Sequence, residues 1–115
     1  MEWNYEGRLF RVVENSTGGE TSNETTFLYH QRNNVLWGTY EGGDIKMGML
    51  VGVVSSLGEP DFDYRHVNLF GAICSGVCRS VPEILARGKI WLLEKWRWMT
   101  GDLSEGASVI EECTS

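Results

Sequence analysis

The stretch 89–102, KIWLLEKWRWMTGD, decides how the rest of the chain is read. It carries Trp91, Trp96 and Trp98, three of the five tryptophans. At a strand period of two, Ile90, Leu92, Glu94, Trp96 and Trp98 share one face, and Trp91, Leu93, Lys95, Arg97 and Met99 share the other. Bulky apolar groups on both faces mark a strand in the middle of a sheet, and a carboxylate on an inner face needs polar company. The expectation is a core strand of an antiparallel barrel or sandwich, with Glu94 turned into a polar interior. The opposite facing would bring Arg97 inward and favour a carboxylate ligand.

Working outward from it, the remaining segments also read as strands. Arg8–Glu14 is a first candidate. Glu24–Arg32 alternates, with Thr25, Phe27, Tyr29 and Gln31 on one face, and Asn33-Asn34 turns it into Val35–Glu41. Gly42-Gly43-Asp44 leads to the long strand Ile45–Ser55. Gly48 and Gly52 lie on one face of that strand, leaving room for the large side chains of the Trp-rich stretch. Phe62–Phe70 places Phe62, Tyr64, His66 and Asn68 together. Ala72–Val81 places Cys74, Gly76, Cys78 and Ser80 together, and Pro82 ends or edges it. Arg87-Gly88 turns into the Trp-rich strand, and Ala107–Glu112 closes the chain. The turn 16–21, STGGET, separates the first two strands.

Short connections throughout imply an up-and-down meander, and closing it removes two exposed edges. The predicted fold is all-β: an eight-stranded antiparallel up-and-down barrel of lipocalin, streptavidin or calycin type, with residues 1–115 forming one domain. Such an interior is filled by side chains or holds one small ligand.

Composition narrows the function classes. The net charge of −6, with scattered arginines, gives no footprint for nucleic-acid phosphates. The longest apolar run, Met47–Val54, is interrupted by two glycines and is too short to span a bilayer as a helix. The N-terminal MEWNYEGRLF has neither a basic start nor an apolar run, so no secretory leader is expected. Three cysteines, an odd count, fit free thiols in a reducing, cytoplasmic setting. Cys74 and Cys78, on one strand face, would stand about 13 Å apart, beyond the reach of a disulfide.

The pieces NYEGRLFRVVEN, ETTFLYHQ, WGTYEGGDI, YRHVN and EKWRWMTGDLSEGASVIEE run over nearly the whole length. Through them the chain resembles a group of small bacterial proteins of calycin-like or lipocalin-like barrel shape, many of which carry the automatic label N-acetylglutamate synthase. The resemblance implies the barrel. The label implies an acetyl-CoA loop opening a helix, and no such glycine spacing before a helix occurs in this sequence. No catalytic residues come with the resemblance.

The residues themselves offer one constellation. Tyr64, His66 and Asn68 on one strand, and Glu94, Trp96 and Trp98 on another, would make a polar pocket with aromatic walls if both faces point inward; Tyr40, and Tyr29 with it, could add to the lining. This is the expected ligand-binding set for a small molecule. A bland alternative is a filled core in which His66 and Glu94 simply satisfy each other. An enzymatic alternative has Glu94 orient His66 for general acid–base work, His66 and Glu94 being the weak catalytic candidates. A third reading is a homodimeric interaction module using the outward Trp91, Leu93 and Met99. His30 is expected on an outer face, and Cys74 and Cys78 as inert small hydrophobes. No cofactor, no metal, no nucleic acid and no membrane are expected, since the two histidines and the cysteines match no zinc spacing.

Overall fold

The computed structural model describes residues 4–16, 20–85, 88–101 and 103–113. Eight strands follow in order: β1 Leu9–Asn15, β2 Thr26–Arg32, β3 Val35–Gly42, β4 Ile45–Val54, β5 Pro60–Asn68, β6 Ile73–Ile84, β7 Ile90–Trp98 and β8 Glu105–Glu112. Each pairs antiparallel with its neighbours in sequence, and β8 pairs with β1, so the sheet is a closed barrel. This is the meander expected from the short turns. The middle of the 16–21 turn, Arg87 of the Arg87-Gly88 turn, and Asp102 lie outside the described residues.

Alternation sets the inner surface. On β7, Ile90, Leu92, Glu94, Trp96 and Trp98 are buried, while Leu93, Lys95 and Arg97 are exposed. The expected facing of the Trp-rich strand is therefore the one adopted, and Arg97 lies outside. Inward glycines stand beside inward rings across the ladder. Tyr40 pairs with Gly48, Phe62 with Gly52, Tyr64 with Gly76 and Trp96 with Gly106. A Cβ at Gly48 would lie 2.5–2.6 Å from ring carbons of Tyr40, and one at Gly52 would lie 2.6 Å from Cβ of Phe62. The space over Gly48 and Gly52 thus belongs to rings on adjacent strands, and not to β7 as expected. The physical reason is local: a ring lies flat over the residue opposite it before it reaches across the barrel.

Strand limits shift where turns were misjudged. β5 begins at Pro60 and stops at Asn68, leaving Phe70 91% exposed in the following turn. The Asn68 side chain builds that turn, its Oδ1 accepting from the amides of Phe70 and Ala72. β6 runs through Pro82 to Ile84. Its pairing with β5 ends at Asp61↔Arg79, so Pro82 lies in a segment paired to β7 alone, where a missing N–H is tolerated. Irregular register at Val12/Glu14, Tyr40/Gly42 and Ile45/Met47 bends the strands at the barrel corners.

The two ends differ. At one, the segment before β1 folds under the barrel and buries Tyr5 completely. The Tyr5 hydroxyl donates to the carbonyl of Gly58 in the β4–β5 loop at 2.5 Å, and its ring packs near Phe10 and Tyr29. At the other end, Glu20 and Thr21 of the β1–β2 connection reach the ends of β5 and β6. We refer to this end as the mouth.

Candidate functional site

The interior is largely filled, but a cavity of about 50 Å³ remains inside it. Its walls include Phe27, Tyr40, Tyr64, His66, Glu94 and Trp96, and they extend to Thr21 at the mouth. Tyr40, Tyr64, His66, Glu94 and Trp96 were expected here from alternation alone. Trp98 and Asn68 are buried above it: Trp98 packs edge-on to Tyr64 and His66, with ring centres 5.5 and 5.6 Å away.

Glu94 sits at mid-barrel, 7% exposed. The Ser108 hydroxyl donates to its Oε1 at 2.9 Å, and Cys78 and Ser80 also hydrogen-bond to it. Among the described residues no cation pairs with it. Burial pushes its carboxyl up from 4.5 to about 7, and the hydroxyl and thiol donors offset only part of that rise. The same carboxylate adds to burial in raising the Cys78 thiol. A second buried polar atom stands out: among the described residues the hydroxyl of Tyr29, fully buried, has no hydrogen-bond partner.

His66 is 2% exposed and does not meet Glu94. Its Nδ1 is 2.8 Å from the Tyr40 hydroxyl, and its Nε2 is 2.6 Å from Oε1 of Glu20. A carboxylate oxygen only accepts, so Nε2–H donates to Glu20, and in the neutral ring the Tyr40 hydroxyl donates to Nδ1. Asn68 Nδ2 donates to the other Glu20 oxygen at 3.1 Å. Burial opposes ionisation of Glu20, but donors from His66, Asn68 and Cys74 outweigh it and hold the carboxyl below its ordinary value.

The expected His66–Glu94 pair is therefore corrected. Both side chains line the cavity, but His66 is in register with Cys74 and Glu94 with Ser80, well separated along the intervening β6. With no hydrogen bond between them, the geometric basis for a Glu-oriented histidine base at this pair is gone. Glu20 takes the place assigned to Glu94. Nothing in its local sequence pointed there, because it belongs to a connecting segment and not to a strand face. Ser108 could have been found, since it alternates with the inward Ile110 on β8. His30 lies at the outer surface as expected, stacked on Trp37 with ring centres 5.6 Å apart.

Comparison with known proteins gives the same architecture. No curated protein and no solved structure matches the chain. A family model described as avidin-like protein matches residues 3–113, nearly the full length, and its calycin-type barrel agrees with the observed topology. The chain belongs to the avidin-like family.

Proposed function

We propose that the barrel binds a compact small molecule through the inward polar groups around Glu94, with Tyr40, Tyr64 and Trp96 as aromatic walls. The observation that carries this reading is a buried carboxylate facing a cavity with no cationic partner among the described residues. Burying such a group is costly, and a ligand that supplies N–H donors or a positive charge recovers that cost. The unsatisfied Tyr29 hydroxyl supports the same conclusion, since it offers one more polar contact in the interior. The carboxylate acceptor favours a ligand head group rich in N–H donors, such as a ureido, amide or guanidinium function. A 50 Å³ space holds a few water-sized atoms, so the head enters and the remainder extends toward Thr21 at the mouth.

Titration with biotin, simple ureas, amides and guanidinium compounds, followed by tryptophan fluorescence and calorimetry, tests the reading. Saturable quenching by at least one of them is expected, weakened about tenfold or more in Glu94→Gln and less in Tyr29→Phe, as loss of a charge-assisted contact exceeds loss of a neutral one. Silence across the panel, or binding indifferent to Glu94→Gln, would overturn it.

A second reading, self-association, rests on a separate observation. The outward row of β4, Met47, Met49, Val51 and Val53, is apolar and roughly half exposed throughout, and it lies beside the outward Val35 and Trp37 of β3. Contiguous apolar surface of this kind marks an interface. It displaces the patch expected on β7, where exposed Lys95 and Arg97 interrupt Leu93 and Met99. Trp91 there is partly buried and donates from Nε1 to Glu111 at 2.6 Å. Sedimentation should show a dimer or larger homo-oligomer that Val51→Lys shifts to monomer without loss of β-sheet signal. A wild-type protein that stays monomeric at high concentration removes this reading.

A further inference from the structure

Three side chains that the sequence keeps far apart meet at the mouth. Glu20 comes from the β1–β2 connection, His66 from the end of β5 and Cys74 from the start of β6. One carboxylate oxygen, one imidazole nitrogen and the thiol sulfur all lie within 4.8 Å of one another. We propose that Glu20, His66 and Cys74 bind a divalent transition-metal ion, with zinc the best match, at the mouth, with His66 shared between this site and the wall of the cavity around Glu94.

The donor chemistry supports this choice. Oxygen, nitrogen and sulfur in one set match zinc, and a thiolate disfavours magnesium and calcium. Ionised Glu20 and Cys74 with a neutral His66 carry two negative charges, which balance the ion. On binding, the neutral His66 ring changes tautomer, its proton passing from Nε2 to Nδ1 as the ion takes Nε2, and the thiol proton of Cys74 leaves to solvent.

The surroundings hold the ligands as a metal site requires. The Tyr40 hydroxyl, 2.8 Å from Nδ1 of His66, fixes the ring with Nε2 toward the mouth. With the ion on Nε2, the Nδ1–H donates to that hydroxyl. Asn68 Nδ2 occupies Oε2 of Glu20 and leaves Oε1 for the ion. Asn68 is itself locked by the amides of Phe70 and Ala72. Three protein ligands leave a fourth position, and beside them lies a cleft of about 320 Å³ lined by Glu20, Cys74, Trp98 and Thr100. A water or a small anionic ligand therefore reaches the ion from outside the barrel. His66 also borders the cavity, but its Nε2 is engaged by Glu20 and not by Glu94, so the metal site has its own test.

Cobalt(II) titration of the full chain, stripped of metal with a chelator, tests the proposal. One equivalent should bind and give tetrahedral visible bands with a near-ultraviolet thiolate-to-cobalt charge-transfer band, and zinc should displace it. Cys74→Ser should abolish the charge-transfer band, while Cys78→Ser and Cys113→Ser retain it. Glu20→Gln should weaken zinc binding by about 100-fold, and Tyr40→Phe, which removes an outer partner of the histidine, by about 10-fold. Cys74 and Glu20 are only partly buried, so their variants are expected to fold; circular dichroism verifies it. Absence of a thiolate band, or a band that survives Cys74→Ser, overturns the proposal.

Discussion

Glu94→Gln is expected to stabilise the barrel by about 3 kcal/mol at about pH 8.5 and to change stability little at about pH 4. The effect follows from a carboxyl raised from 4.5 to about 7 by burial. Between these values the folded protein holds a proton that the unfolded chain has lost. Stability contributed by the protonated group is complete below about 4.5 and is lost as pH rises through about 7. Glutamine keeps the neutral form at every pH and can still exchange hydrogen bonds with Ser80 and Ser108. Glu20, whose carboxyl is held low, contributes in the opposite sense, with stability lost as pH falls through its folded value. That contribution is common to both proteins and cancels in the difference. Urea unfolding of wild type and variant across this range measures it. Curves that run parallel from acid to alkaline pH would show that Glu94 does not carry this burial cost. The same variant is expected to lose ligand affinity, so a gain in stability paired with a loss of binding would mark Glu94 as a functional group held at a structural cost.

Tyr5→Ala should destabilise the protein by about 3–5 kcal/mol, a loss typical of removing a buried ring. Tyr5 is fully buried although it precedes the first strand, and it ties the N-terminal segment to the β4–β5 loop through Gly58. The ring also seals the barrel end opposite the mouth, against Phe10 and Tyr29. Its hydroxyl is raised above its ordinary range by burial, so it stays protonated and donating. Tyr5→Phe separates the two contributions: it keeps the ring, leaves the Gly58 carbonyl without its donor and should cost about 1–2 kcal/mol. A melting-temperature drop of roughly 12 °C or more is expected for the alanine variant. A drop of only a few degrees would mean that the segment merely covers the barrel and does not hold it closed.

Much of the architecture was readable in advance. Alternation across residues 89–102 assigned the inner and outer faces of β7, and the same period on the other strands assigned Tyr40, Tyr64, His66 and Glu94 to one interior. Turn residues marked most strand ends. Asn33 adopts a left-handed φ of 55° between β2 and β3, as asparagine tolerates. The error at the His66–Glu94 pair has a specific cause. A period of two tells which face a side chain takes, but not how high on the barrel it stands. His66 and Glu94 were matched by face and separated by height.

The composition and alternation of this chain by themselves determined an all-β meander with a polar, aromatic interior, because strand periodicity and turn chemistry are local properties. The register in which β8 closes onto β1, the pairing heights of His66 and Glu94, the burial of Tyr5 and the meeting of Glu20 with Cys74 were decided only in three dimensions. Each depends on register and strand offset around the closed sheet, which accumulate over all eight strands and are encoded in no single stretch.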